Sequence, residues 1–479
     1  MLEKTALELA GEIKAKKLKV PDIVNACIEK IENKNQFNSF ITVSKETALK
    51  QAKETQTRID NGEDISPLAG VPIALKDNIS TMGLDTTCAS KMLGNYKPVF
   101  NAAVTEKLEQ AGMIIIGKLN MDEFSHDGQP GVSGAVRNPW DADRTAGSCA
   151  SAAAIAAGEV PVAVGTDSGG SLRQSCAFCG VTGIKPTYGS VSRHGIIAYA
   201  SSLDQAGVIG KDIEDCAALL SIISGPDKRD GTCIIEKPFK FDLSGAEIKN
   251  KKIGIPRNYL SGNTEEDVKT AVLSAAKEFE AAGLIIEEFE MPLSDYIIPA
   301  YCVISSAEVS SNLAKYDGLK FGYRSPNSKT LAEVYRNSRN EGFGFDIKRT
   351  IMLGSFVLSS ENYDTYFRKA LQTRTLIKET YNKLFKQFDM ILSPVAPTTA
   401  NKLNENIDDP MAIYKRSLYT ASVNLAGLPA VSLPCGFDKQ GLPIGFQLIG
   451  DAFTENKLID IARIYQSRTN HHKKKGATT

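Results

Sequence analysis

Three short, almost unbroken apolar runs dominate the first third of the chain: VPIALKDNI (71–79), MIIIGKL (113–119) and VPVAVGTD (160–167). Runs of this kind, without polar alternation, suit strands buried on both faces. Between them lie helix-like segments, NAAVTEKLEQAG (101–112) ending at glycine and the small-residue stretch SAAAIAAG (151–158). Strands alternating with helices make βαβ units. The expected fold is therefore α/β: a large mixed, mostly parallel sheet covered by helices on both faces. A second unit of the same kind runs through KKIGIPRNYL (251–260), a helix over 264–283 with Thr264 as N-cap and Asp267 three residues on, and LIIEEFEMP (284–292).

The rest of the chain divides around these units. Residues 1–65 read as an N-terminal helical region, with Ile23, Val24, Cys27, Ile28 and Ile31 at helical spacing in its second helix. Residues 66–243 hold the first βα core, and 244–385 a βα and helical insertion. Residues 386–479 return to strands at FDMILSPVAP (388–397) and PAVSLPCGF (429–437) and close with a helix near 454–468. The tail NHHKKKGATT is expected to fray.

Composition excludes several classes. The 479 residues carry 56 basic and 56 acidic side chains, which argues against this chain alone gripping nucleic acid. No run approaches the ~18 apolar residues of a membrane helix. The N-terminus has neither a secretory core nor an acid-poor transit composition. Nine cysteines at scattered positions suggest reduced thiols and a cytoplasmic setting, with the Cys176–Cys179 pair structural. GMIIIGKL (112–119) mimics a phosphate loop but lacks the Ser/Thr and reads as a strand.

Three segments could carry chemistry. GTDSGGS (165–171) ends a strand, and its paired glycines let the backbone amides of Ser168, Gly169 and Gly170 converge on an oxyanion beside the Ser171 hydroxyl. The alternative is a Gly-rich turn with a solvated serine. Lys76 lies inside an apolar strand, either with its head reaching water at the strand end or buried and held neutral as a base. TAGSCASAAAIAAG (145–158) suits a close backbone approach, or simply a helix start capped by Ser148 or Ser151. Of the four histidines, none has triad or metal-ligand spacing.

Lysine, a Gly/Ser-rich segment and GTDSGGS followed by AFCGVTGIKPTYG together resemble the amidase signature family. Further blocks, among them TTCASKML (86–93), KLNMDEF (118–124), YGSVSRHGIIAYASSLDQAG (188–207), SPVAPTT (393–399) and VNLAGLPAVSLPCGF (423–437), resemble its branch of glutamine-hydrolysing A subunits of aspartyl/glutamyl-tRNA amidotransferases. The resemblance implies Ser171 as nucleophile and acyl-ester residue, Lys76 as base, and a relay serine entered through a cis peptide bond. It implies a glutamine pocket with Arg349, Tyr301 and Ser417 at the matching positions. It implies no cofactor in this chain. Partners of the B and C type would complete a heterotrimer, with ATP and Mg used by the partner and mischarged tRNA held mainly by the B component.

The sequence departs from that pattern at the site. TAGSCAS stands where the family shows GGSSGGS, so the usual separation of 24 residues from Ser171 falls on Gly147, and Ser148 lies at 23. Ser148 is the expected relay if one loop residue is deleted. Ser417 occupies the place of an acidic residue, and a basic pair is reduced to Arg349-Thr350. Three readings follow: an active glutaminase subunit, a stand-alone amidase on another amide, or a catalytically weakened scaffold component of the same complex.

Overall fold

The computed structural model describes every residue except 34, 64, 127, 129, 237, 241–248, 263, 404–415 and 477–479. Its main strands are β1 (Phe40–Val43), β2 (Pro72–Lys76), β3 (Ile114–Leu119), β6 (Val162–Asp167), β7 (Thr182–Lys185), β8 (Gln205–Gly210), β9 (Lys252–Pro256), β10 (Ile285–Phe289), β11 (Met390–Pro394), β12 (Ala430–Phe437) and β13 (Pro443–Ile449). They form one central 11-stranded sheet in the order β1-β3-β2-β6-β8-β7-β12-β13-β11-β9-β10. The two strands between β3 and β6, β4 (Arg137–Asn138) and β5 (Asp141–Thr145), make a separate hairpin.

Parallel pairing is found where strands alternate with helices: β3-β2-β6 on one side and β11-β9-β10 on the other. The intervening strands β8, β7, β12 and β13 pair antiparallel, as does edge strand β1. The expected predominance of parallel pairing thus holds for the two βαβ-built units and not between them. Both blocks of the chain share one sheet because β12 pairs with β7.

Each apolar run becomes a wholly buried strand: β2, β3 and β6 expose no residue. Helix Glu266–Ala281 covers the far half, where Phe279 is fully buried against Phe446 of β13 and Tyr465 of helix Glu455–Arg468. A second apolar core lies beneath the helices Ser294–Asn312, Phe345–Val357 and Lys369–Leu384.

Two local expectations are corrected. Thr264 does not cap its helix: Glu265 is the N-cap, and the Thr264 hydroxyl donates to the Tyr259 carbonyl and meets the Tyr419 hydroxyl. A tertiary partner outcompetes the local cap. The tail is also docked as far as Gly476, which sits so close to the Pro139 carbonyl that a Cβ would lie 2.5 Å from it. His471 packs near Phe437, and Lys475 pairs with Glu3. Aromatic and ionic partners remote in sequence hold it.

Phe279→Ala empties the joint between helix Glu266–Ala281, β13 and the last helix. The expected cost is about 3–5 kcal/mol, read as a shift in the denaturant midpoint with an unchanged slope.

Candidate active site

Among the described residues three lysines are fully buried: Lys76, Lys118 and Lys185. Burying an ammonium without partners is costly, so the surroundings of each decide its meaning. Lys118 donates to the Ile79 carbonyl (2.7 Å) and the Thr86 hydroxyl (2.8 Å) and lies 3.4 Å from the Asp77 carboxylate. Lys185 donates to the Pro186 carbonyl (2.9 Å), and burial, with help from Arg173, pushes it down to about 7. The Lys76 amine has no hydrogen-bond partner among the described residues. It ends β2 beside β6, one residue past the Leu75–Val164 register pair. Two residues on, the Asn78 amide donates to the Thr166 hydroxyl at 3.1 Å. Lys76 therefore stands at the C-terminal edge of the parallel strands, the usual ligand edge of such sheets.

The GTDSGGS segment leaves β6 at that same edge. Ser171 opens helix Ser171–Cys179, and its hydroxyl donates to the Thr166 carbonyl at 2.9 Å. The turn depends on Gly170, whose φ of +129° suits only glycine and whose Cβ would strike the Thr420 hydroxyl. Thr420 in turn donates to the Gly169 carbonyl at 2.6 Å. Under the turn lies the buried pair Asp167–Arg173. Burial would raise the Asp167 carboxyl, but Arg173 outweighs it, aided by Lys185 and Asn424, and holds it at about 2.

This pair corrects the expected oxyanion set. The Gly170 amide donates to the Asp167 carboxylate at 2.9 Å, because a buried carboxylate takes every donor in reach. The amides of Ser168, Gly169 and Ser171 donate to nothing among the described residues, so those three remain open. Ser168 turns its hydroxyl away, to Asp204 at 2.5 Å. Burial raises Asp204 to about 6, against hydrogen bonds from Ser168, Ala200 and Tyr199.

The remaining expected residues arrive from other elements. Tyr301, on helix Ser294–Asn312, packs against Gly169 so closely that a Cβ there would lie 2.3 Å from its hydroxyl oxygen. Ser417 is buried at the entry to helix Leu418–Ala426, 3.5 Å from the Gln174 amide one turn below Ser171. Ser148 is buried too, its carbonyl accepting from the Asp122 amide at 3.4 Å. Its hydroxyl makes no hydrogen bond to Lys76 or Ser171. The described peptide bonds are all trans, so the expected cis bond is not present at Gly147–Ser148. Arg349 is partly exposed and pairs with Asp346 on its own helix at 2.8 Å, while its Nη2 is buried without a well-formed hydrogen bond among the described residues. Its neighbour Thr350 meets His126 Nε2 at 2.6 Å.

Sequence reasoning missed Arg173, Asn424, Gln447 and Thr420, the residues that hold the turn. A fully buried arginine in SLRQSCAFC has no signature until its partners are known. Among the described residues no cluster of three or more His, Cys, Asp or Glu is placed to hold a metal. Cys176 and Cys179 are free and buried, and burial pushes both thiols up, as inert structural cysteines require.

A buried amine, a serine at a helix start and open backbone amides stand on one sheet edge, an arrangement whose chemistry suits amide cleavage. The amidase family profile matches residues 22–459, and the chain belongs to that family. The A component of the Agathobacter rectalis glutamyl-tRNA(Gln) amidotransferase is 51% identical over 97% of this chain and 94% of its own. The protein of the same name from Geobacillus thermodenitrificans is 45% identical over 99% of both chains. Among solved structures, the corresponding glutamyl-tRNA(Gln) amidotransferase chain of Thermotoga maritima is 36% identical, with a TM-score of 0.81 over 98% of this chain and 96% of that one.

Asp167→Asn leaves Arg173 buried without its carboxylate. The expected cost is about 3–5 kcal/mol, with loss of amide hydrolysis because the turn carrying Ser171 loosens. The sign with pH follows from the depressed value: the stabilisation from Asp167 is complete above the ordinary 3.8 and is lost as pH falls through about 2. Acid unfolding of the wild type below pH 3.8 should be steeper than that of the variant.

Proposed function

We propose that this chain is the glutaminase subunit of a tRNA-dependent amidotransferase, releasing ammonia from glutamine for a partner chain. The observation that carries the reading is the unpartnered, fully buried Lys76 amine on the edge where Ser171 starts its helix. The names and near-complete coverage of the relatives support the choice of glutamine over other amides.

In this reading the Ser171 oxygen attacks the side-chain carboxamide carbon of glutamine. Its proton passes through a hydroxyl relay, assigned to Ser148, to the amine of Lys76 acting as base. The oxyanion that forms is met by the amides of Gly169 and Ser171. Collapse breaks the C–N bond, the proton returns to the leaving nitrogen, and ammonia departs. Water then attacks the glutamyl ester on Ser171, giving glutamate and restoring the hydroxyl. Tyr301 and Ser417 wall the pocket, and Arg349, whose guanidinium keeps donors beyond its contact with Asp346, takes the α-carboxylate. The ammonia is consumed in the partner, where ATP and Mg activate the mischarged Glu-tRNA(Gln) or Asp-tRNA(Asn). The B and C components complete the assembly in the cytoplasm.

The scaffold reading keeps one specific support: the Ser148 hydroxyl bonds neither Lys76 nor Ser171. Ammonia release from glutamine by the complex with its B and C components separates the two. Ser171→Ala should reduce it to background, and Lys76→Ala should reduce kcat on the order of 10²- to 10⁴-fold. Wild-type release no greater than that of Ser171→Ala would leave only the scaffold role.

A further inference from the structure

Ser175 lies one helical turn beyond Ser171, on the same face of helix Ser171–Cys179, and is fully buried. A serine in a helix commonly returns its hydroxyl to the carbonyl four residues back. Ser175 instead accepts, at 3.1 Å, the amide of Cys149. Cys149 follows Ser148 and is the N-cap of helix Ala150–Ala156. One hydroxyl on the nucleophile's helix therefore holds both the turn bearing Ser148 and the start of the next helix.

Gly147 completes the arrangement. Its φ is +88°, and a Cβ there would lie 2.5 Å from the Ser175 hydroxyl oxygen, against 3.2 and 3.3 Å from the Ser175 Cα and Cβ. The hydroxyl is the nearest obstacle, and the Ser175 Cα and Cβ are themselves tighter than ordinary van der Waals contact. The backbone at 147 can come this close because it has no side chain, and the hydroxyl at 175 fills the space that a side chain would need.

We propose that Ser175 is a positioning residue for the hydrolytic site and that positions 147 and 175 form an exclusive pair, in which a side chain at one forbids the hydroxyl at the other. Ser175 touches neither substrate nor the reacting atoms. It sets the distance of the 145–149 turn from Ser171, so its effect on turnover rests on the glutaminase reading above, whereas the steric exclusion does not.

The test is a double-mutant cycle in the full chain, with Gly147→Ala, Ser175→Ala and the double variant. Two readouts are taken: the thermal midpoint of the chain, and kcat and KM for glutamine in the complex with its partner chains. Ser175→Ala should lower kcat about tenfold and leave KM within about twofold, since the relay turn shifts while the pocket stays. Gly147→Ala should be the most damaged variant by both readouts. Adding Ser175→Ala should then raise its thermal midpoint and its kcat, because the 2.5 Å contact disappears while the backbone strain at 147 is common to both. Additive losses in thermal midpoint would overturn the exclusive pair. Wild-type kcat in Ser175→Ala would overturn the positioning role. A wild-type complex inert toward glutamine would instead count against the glutaminase reading, with the thermal cycle still deciding the pair.

Discussion

The guanidinium of Arg173 is the joint on which the site depends. It is fully buried and reaches four partners: the Asp167 carboxylate through Nε and Nη2 (both 3.0 Å), Gln447 (2.7 Å), the Thr420 carbonyl (3.1 Å) and Asn424 (2.5 Å). Gln447 carries the network on to the Tyr419 carbonyl and the Ser393 hydroxyl. Satisfying one buried cation thus ties the turn of Ser171 to helix Leu418–Ala426, β13 and β11. A buried pair of this kind adds little net stability over apolar packing, but removing one member is severe. Its use here is to fix a glycine turn that has no side chains of its own to pack.

The buried lysines differ in how far their amines are satisfied. Lys118 and Lys185 are each bonded to backbone carbonyls, and Lys118 also faces Asp77. Lys76 is buried as deeply and bonded to nothing described. An unsatisfied buried donor is expensive, and proteins keep such groups where chemistry uses them. The strand carrying Lys76 is held on both sides by β3 and β6.

How much of this was legible in the sequence depended on where the partners lie. Strands β2, β3, β6, β9 and β10 were readable because apolar runs and glycine-ended helices are local signals. Strands β7 and β8, TGIK and QAGVIG, were not, because four to six small residues carry too little pattern. Lys76, Ser171 and the GTDSGGS turn stood out from their own chemistry, but their roles came only from the family resemblance. The Gly170 amide was misassigned because its acceptor, Asp167, is visible only once Arg173 has buried it. Ser175 gave no signal, since its meaning comes from Gly147 and from Cys149, which lies 26 residues away. Arg349, chosen by position, also pairs with Asp346 on its own helix, a pairing that i, i+3 spacing could have flagged.

The central claim is that Ser171 carries the acyl group. The direct measurement is acid quench of the complex during turnover of glutamine, followed by peptide mapping by mass spectrometry. A glutamyl ester on the peptide containing Ser171, absent when glutamate replaces glutamine, is the expected result. Ammonia release with no ester, or with the acyl group on another residue, would contradict the account.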